Sequence, residues 1–445
     1  MKWVGLVITL VAILPLSAWL HRNPKEAPKL WMLLGLLPFA PFHLYMAFIS
    51  WPEWPGYLQG IEIWILDALA MALLLSTRSV KCSLPFQLPM LLYFLAVLLS
   101  ALGARTPIPA LFYPWQLGRM FLMYATVTRG VYTDPRVAPA LLKGMAAGVI
   151  MEAGIAIWQR FGSNILQVSG TFDTQNFLGL ITHFFVYPFF ALLLGGAAGW
   201  LPAAVTLAGM VIETLTASRA TLGIAGFGFA AIFVVSAVRK WGDRKALVLS
   251  IGVMIIPIIV FIFLASLNQR QFTNSTNESD REREAFLQVA AMILSDHPFG
   301  IGSNHYIVIS NMDGYDQAAG VPPRSRTSIV HNVYWLVAAE TGYLGLITFV
   351  LFLLRPLSVA FLCGWHNRGD QRGDLLLGLG VALLAVYIHC YFEWMFLRPE
   401  AQYMFAQGVG LVAGLAQQLG YWQRVYPKPL ARRRGRAQVR GSPAI

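Results

Sequence analysis

The sequence predicts an all-α, polytopic membrane protein, and three observations carry that prediction. The chain is 57% hydrophobic and only 12% charged, with a mean hydropathy of +0.60, whereas soluble proteins carry roughly a quarter charged residues. Its apolar residues fall in repeated runs of about 20, the length that crosses a bilayer, and lipid forces such runs to satisfy their backbone groups internally as helices. One long polar interruption, from Asn268 to Gly345, breaks the pattern and collects Arg281, Arg283, His297, His305, Arg324, Arg326 and His331.

Taken in order, the candidate spans are 3–20, 30–50, 61–77, 85–103, 110–128, 137–158, 175–198, 201–218, 221–238, 246–266, 332–354 (extending to 364), 374–393 and 402–420. Residues 3–20 resemble the apolar core of a signal peptide. Only Lys2 precedes them, however, while Arg22, Lys25 and Lys29 follow, so a retained first span is expected. Pro38, Pro41 and Pro188 fall inside or beside spans, where proline kinks a membrane helix without excluding it. Gly195 and Gly196 read as close-packing positions. No internal repeat is strong enough to argue a transporter architecture.

Charge sets the expected orientation. The formal net charge is +12, with Arg432, Arg433, Arg434, Arg436 and Arg440 clustered in the tail. The tendency of Lys and Arg to stay inside explains that cluster as a cytoplasmic end, so nucleic acid is not the expected partner. Walking back from the tail and alternating sides, the basic loops 366–372, 239–245, 129–136 and 78–81 all land beside it. The opposite side then receives the long loop, the 159–173 linker, the 216–221 turn and the 393–400 segment. Cys82, Cys363 and Cys390 lie in or beside apolar runs, which speaks against a disulfide framework or a zinc site.

Several residues could carry chemistry. Arg219 stands at a membrane boundary, where a guanidinium is costly without a partner or water; it is either a helix-end arginine reaching to the interface or an anion contact in a wet cavity. Arg281 and Arg283 sit in SDREREAFLQVAAMILSDHPF, which reads as an amphipathic helix with Asp280 as its N-cap and Phe286, Leu287, Ala290, Met292, Ile293 and Leu294 on its apolar face. A helix start bearing arginines suits phosphate oxygens, although surface ion pairing with Glu282 and Glu284 is the plainer alternative. His331 and Asn332 stand where the loop re-enters the membrane, and Glu340 follows inside the span, where a carboxylate must face the bundle interior and find a partner. His331 is either an interfacial residue or a general base, with Asn332 or Glu340 orienting its ring. Asp296, His297 and His305 match no metal-ligand spacing, so no metal is expected. GIGSNH lacks the strand and helix that a dinucleotide-binding loop requires. Asn274 and Asn277 begin N-x-S/T triplets, and Glu393 and Arg398 read as a pair on the outer face.

HNVYWLVAAETGYLGL resembles the signature that closes the catalytic loop of the O-antigen ligase and polysaccharide polymerase superfamily. SDHPFGIGSNHY is similar to the family's His-Pro-Phe-Gly-x-Gly stretch, REREAF to its Arg-x-x-aromatic element and TASRATLGI to its Ser-Arg turn. GTFDTQNFLGL is similar to its Gly-Thr-Phe and Asn-x-Leu-Gly element, with Gln175 where many members carry His or Pro. The resemblance covers residues 165–350 well, and the remainder only as a helix count.

It implies about 12–13 transmembrane helices in a fold similar to the GT-C glycosyltransferase class, with one long periplasmic loop containing short helices. The expected division is 1–164 for N-terminal helices, 165–354 for the catalytic region with its loop at 267–330, 355–425 for C-terminal helices and 426–445 for a basic cytoplasmic tail. The implied activity is metal-independent, inverting glycosyl transfer at the periplasmic face of a bacterial inner membrane, with no cofactor. The donor would be a glycan on a polyprenyl (undecaprenyl) diphosphate, and the acceptor a hydroxyl of a glycan, of lipid A core or of a protein. Carried over by residue, Arg219 and Arg283 match the diphosphate-holding arginines and His331 the histidine that activates the acceptor. Arg281 and Arg160 are further diphosphate candidates, and Asn176 a supporting residue. O-antigen ligase, surface or exopolysaccharide polymerase, and protein O-oligosaccharyltransferase share these parts. A polysaccharide or solute transporter is the competing class, and it predicts charges near the bilayer centre instead of at one face.

Overall fold

The computed structural model describes residues 2–40, 45–77, 82–271 and 275–425. The basic tail, the 78–81 turn, Pro41 and Asn274 lie outside the described residues. The chain is helical nearly throughout, and its elements follow one another as α1 (Lys2–Arg22), α2 (Ala27–Leu36), β1 (Tyr45–Ser50), β2 (Gly60–Trp64), α3 (Ile65–Ser76), α4 (Gln87–Ser100), α5 (Pro107–Ala110), α6 (Phe112–Thr133), α7 (Val137–Ile157), α8 (Gln175–Gly195), α9 (Leu201–Leu215) and α10 (Arg219–Arg239). They continue as α11 (Asp243–Gln271), α12 (Ser275–Asp296), α13 (Tyr306–Met312), α14 (Tyr315–Ala318), α15 (Val333–His366), α16 (Gln371–His389), α17 (Pro399–Gln418) and α18 (Tyr421–Val425). Among the described residues, five helices are long and apolar enough to cross a membrane: 137–162, 175–195, 219–239, 333–366 and 371–389. Shorter apolar helices, such as 65–76, 87–103 and 201–215, fill out the bundle.

Two expected spans, 30–50 and 61–77, are not continuous helices. The first ends in a 3₁₀ turn at Leu37–Phe39, in which Pro38 halts the α-helix. YMAFIS then pairs antiparallel with GIEIW, from Tyr45 opposite Trp64 to Ser50 opposite Gly60. β-Branched and aromatic residues favour such pairing, and the Pro- and Gly-rich WPEWPG stretch reverses the chain.

α8 forms the centre of the bundle, buried along most of its length and packed against α9, α10 and α16. Its ends are well defined. The Thr174 hydroxyl accepts from Phe177 N, and Gly196 closes the other end at φ 83°, which a side chain would resist. α17 packs on α6, α2 on α7, and α15 on α4 and α16.

The polar loop does not float. Asn304 grips the β-hairpin segment: its amide donates to Leu58 O at 2.8 Å, Leu58 N donates back at 3.1 Å, and Trp54 Nε1 donates to Asn304 O at 2.9 Å. Glu340, buried in α15, accepts from Tyr306 N at 3.0 Å and from the Tyr57 hydroxyl at 2.8 Å. α15 is broken at Gly342, with φ 69° and ψ −173°. There the HPFG turn docks, Tyr343 N donating to Pro298 O at 3.1 Å. A Cβ at Gly342 would lie 2.3 Å from Pro298 O, so the approach and the backbone angle both require glycine. The HPFG motif inside the loop and the ETGYLG motif of α15 are therefore one structural joint.

Candidate active site

The site forms where three chain segments meet at one end of the bundle: the first turn of α8, the side of α12, and the loop entering α15. All three converge on the turn after α16. Glu393 in that turn is nearly inaccessible, at 2% side-chain exposure. One carboxylate oxygen accepts from the Asn176 amide at 2.5 Å and lies 3.6 Å from Arg283 Nη2. The other lies 3.1 Å from His331 Nδ1. Val333 N donates to Cys390 O at 2.8 Å, which fixes the loop end against this turn.

A carboxylate only accepts, so His331 Nδ1 carries the hydrogen of this contact, and Nε2 is the ring nitrogen that Glu393 does not engage. The His331 side chain is 32% exposed, and the Phe286 ring packs edge-on against it at 6.3 Å. Burial alone would raise the Glu393 carboxyl, but the His331 hydrogen bond and charge, with the electrostatic pull of His389 and Arg283, hold it below the usual carboxylate range. The result is a partly exposed imidazole with a fixed ring orientation, a buried anion behind it and a guanidinium alongside. Such an arrangement can take a proton from a hydroxyl and, through the arginine, meet an anionic leaving group.

The structure brings Asn176, Arg283 and His331 together on Glu393. Two residues expected to orient the histidine are engaged elsewhere. Asn332 caps α15, its side chain accepting from Tyr334 N at 2.9 Å and Trp335 N at 3.1 Å. Glu340 clasps Tyr306 and Tyr57, as described above. α12 begins at Ser275 and not at Asp280, so Arg281 and Arg283 lie well inside the helix. The free N–H groups of the helix start are consequently not beside them. Arg281 is exposed on that helix. Arg160 lies in a π-helical turn, Trp158–Gly162, and donates to Leu166 O at 3.2 Å. Arg219 is exposed on the first turn of α10, after Ser218, whose hydroxyl accepts from Thr221 N.

Glu393 and Arg398 do not pair with one another. Arg398 instead bonds Asp173, and Glu400 at 3.1 Å. Asp296 accepts from the Tyr315 hydroxyl at 2.8 Å, and His305 is buried with Nδ1 2.9 Å from Ser303 O. Among the described residues, no group of three or more His, Cys, Asp or Glu side chains is arranged to hold a metal ion. The residue that sequence reasoning missed is Glu393 as the histidine's partner. Its only signal was a lone acid directly after an apolar span, 62 residues from His331.

Residues 202–350 match the family model described as O-antigen ligase. That stretch holds Arg219, Arg281, Arg283, His331 and Glu340, while Asn176 and Glu393 lie outside it on either side. Comparison of the chain with curated proteins gives no match. Over residues 202–350, about a third of its length, this membrane protein is similar to the O-antigen ligase family.

Proposed function

We propose that the protein transfers a glycan from a polyprenyl diphosphate carrier, of the undecaprenyl type, to an acceptor hydroxyl, acting as an O-antigen ligase or as a surface or exopolysaccharide polymerase. The observation that carries this reading is the His331–Glu393 pair with Arg283 beside it, His331 and Arg283 lying in the stretch that matches the O-antigen ligase model. His331 Nε2 accepts the acceptor's proton as the new C–O bond forms at the anomeric carbon. Glu393 holds the ring and offsets the imidazolium charge. The bond to the diphosphate breaks with its electron pair on the leaving oxygen, and arginine donors stabilise that charge. Arg283 is the first such donor; Arg219, Arg281 and Arg160 are assigned to the same anion. A single displacement inverts the anomeric centre.

In this reading the site faces the periplasm of a bacterial inner membrane and the C-terminus is cytoplasmic. The acceptor is a glycan, lipid A core or, in a related alternative, a protein. The test is transfer by purified enzyme in lipid vesicles given a polyprenyl diphosphate glycan. Loss of a general base lowers such rates about 10²–10⁴-fold, so His331→Ala should fall in that range, and Arg283→Ala should also lose transfer. Full transfer by both variants would overturn the reading.

A further inference from the structure

Behind Glu393 the bundle buries a second set of ionisable groups that the reaction above does not use. His183 of α8 and Glu213 of α9 meet at 2.9 Å, Nδ1 to Oε1, and neither is measurably open to solvent. The Tyr187 hydroxyl lies 3.1 Å from the same His183 nitrogen and 3.3 Å from the Ile224 carbonyl of α10. His389, the last residue of α16, is also fully buried, its ring centre 5.2 Å from that of His183. Among the described residues, neither ring nitrogen of His389 has a hydrogen-bond partner, nor does His183 Nε2.

Core histidines are ordinarily satisfied, because an unpaired polar group away from water is costly. Two unsatisfied imidazoles beside a carboxylate inside a membrane bundle therefore call for a function. The cluster's position supplies one. Glu393 N donates to His389 O at 3.1 Å, so the two residues share one turn. The His389 ring interacts electrostatically with Glu393 and Arg283. The charged or titratable groups around the cluster thus form a line: His331, Glu393 and Arg283 at the site, then His389, then His183 with Tyr187, then Glu213. Glu213 stands at the end of α9, and Thr216 Oγ1 bonds its carbonyl at 2.9 Å in the turn that leads to Arg219.

Resting on the glycosyl-transfer reading, we infer that His389, His183 and Glu213 form a buried proton relay that empties the His331–Glu393 pair. His331 Nε2 takes the acceptor proton, and the Nδ1 proton passes to Glu393. It moves on to the His389 ring through one water held by the unpartnered nitrogens, and from there to the His183–Glu213 pair. Each group gives up one proton as it receives one, and the displaced proton leaves to water at the α9–α10 turn. After a turnover every group has its starting proton count, and His331, left with its hydrogen on Nε2, returns to the Nδ1–H tautomer by exchange with water before the next one. His389, His183 and Glu213 touch no substrate and act through Glu393.

The test is glycan transfer in lipid vesicles across a pH series, in ordinary and heavy water, for wild type, His331→Ala, His389→Gln, His389→Asn, His183→Gln and Glu213→Gln. Melting curves identify the folded variants. Expected for folded relay variants are a kcat about tenfold lower or more, in the range of proton-transfer effects, an unchanged KM, an activity limb moved to higher pH and a larger solvent isotope effect. Wild-type kinetics in the folded relay variants would overturn the relay, as would a lower kcat with an unmoved pH limb and isotope effect, or failure of all four to fold, since either marks a structural role. His331→Ala separates the two levels: its full activity would overturn the underlying reading, whereas its loss beside unaffected relay variants would sink the relay alone.

Discussion

His331 Nδ1 lies 3.1 Å from Glu393 Oε2, joining residues 62 positions apart. The histidine arrives on the loop that enters α15 and the acid on the turn that follows α16, so the intervening helical hairpin brings them together. A buried acceptor behind an exposed ring fixes which imidazole nitrogen faces a substrate. Glu393→Gln keeps the shape but removes the charge that offsets the imidazolium. Steady-state transfer assays should show kcat lowered by about 10²-fold, toward the lower end of general-base effects, with KM nearly unchanged. A kcat equal to wild type would remove Glu393 from the mechanism.

The same acid predicts a pH dependence of stability. Its folded-state pKa is held below the ordinary value, about 4.3 for an unperturbed Glu. The unfolded chain therefore binds the proton first as pH falls. The stabilisation is fully present above that unfolded value and is lost as pH falls through the lower, folded one. Melting curves of wild type and Glu393→Gln should differ most near neutral pH and draw together in acid. A gap that widened on acidification would contradict the sign.

Glu340 is expected to matter for folding and not for turnover. It holds Tyr306 N and the Tyr57 hydroxyl inside the bundle. Removing one partner of a buried hydrogen bond costs about 1–3 kcal/mol. Tyr57→Phe and Glu340→Gln should lower the melting temperature while leaving kcat per folded molecule within about twofold of wild type, a change of under 1 kcal/mol. Loss of kcat at unchanged stability would return Glu340 to the catalytic group.

Gly342 carries the joint between the HPFG turn and α15. Alanine there must hold φ near 69° and accept a carbonyl at 2.3 Å. Strained backbone alone costs about 1–3 kcal/mol. Gly342→Ala should therefore destabilise by at least that much in a denaturant or thermal melt, and an unaltered melt would show that the joint yields.

Much of this was legible in the sequence because hydropathy and loop motifs act locally. The apolar runs gave a helical membrane bundle, and the polar stretch that interrupts them, with its HPFG motif and the ETGYLG motif that follows it, marked the loop. Arg283, Asn176 and His331 were each singled out, and the structure gathers all three on one carboxylate. What pairs with what was not legible, since partners are set by tertiary packing. Asn332 and Glu340 stood nearest to His331 in sequence, yet the helix carries one into a cap and the other into a clasp. Glu393 read as a surface acid because nothing local reveals that α8 and α12 close over it. The hairpin at 45–64 was missed for a related reason: its residues are as apolar as a span, and only the prolines hinted that the helix stops.

The central claim is that His331 and Glu393 act as one catalytic unit, and a double-mutant cycle on glycan transfer tests it most directly. His331→Ala, Glu393→Gln and the double variant are compared with wild type by kcat in lipid vesicles, using a polyprenyl diphosphate donor. If the two act together, the double variant is no slower than His331→Ala alone, because the acid has no ring left to hold. If the two losses instead multiply, the residues act independently and the account of a single unit is wrong.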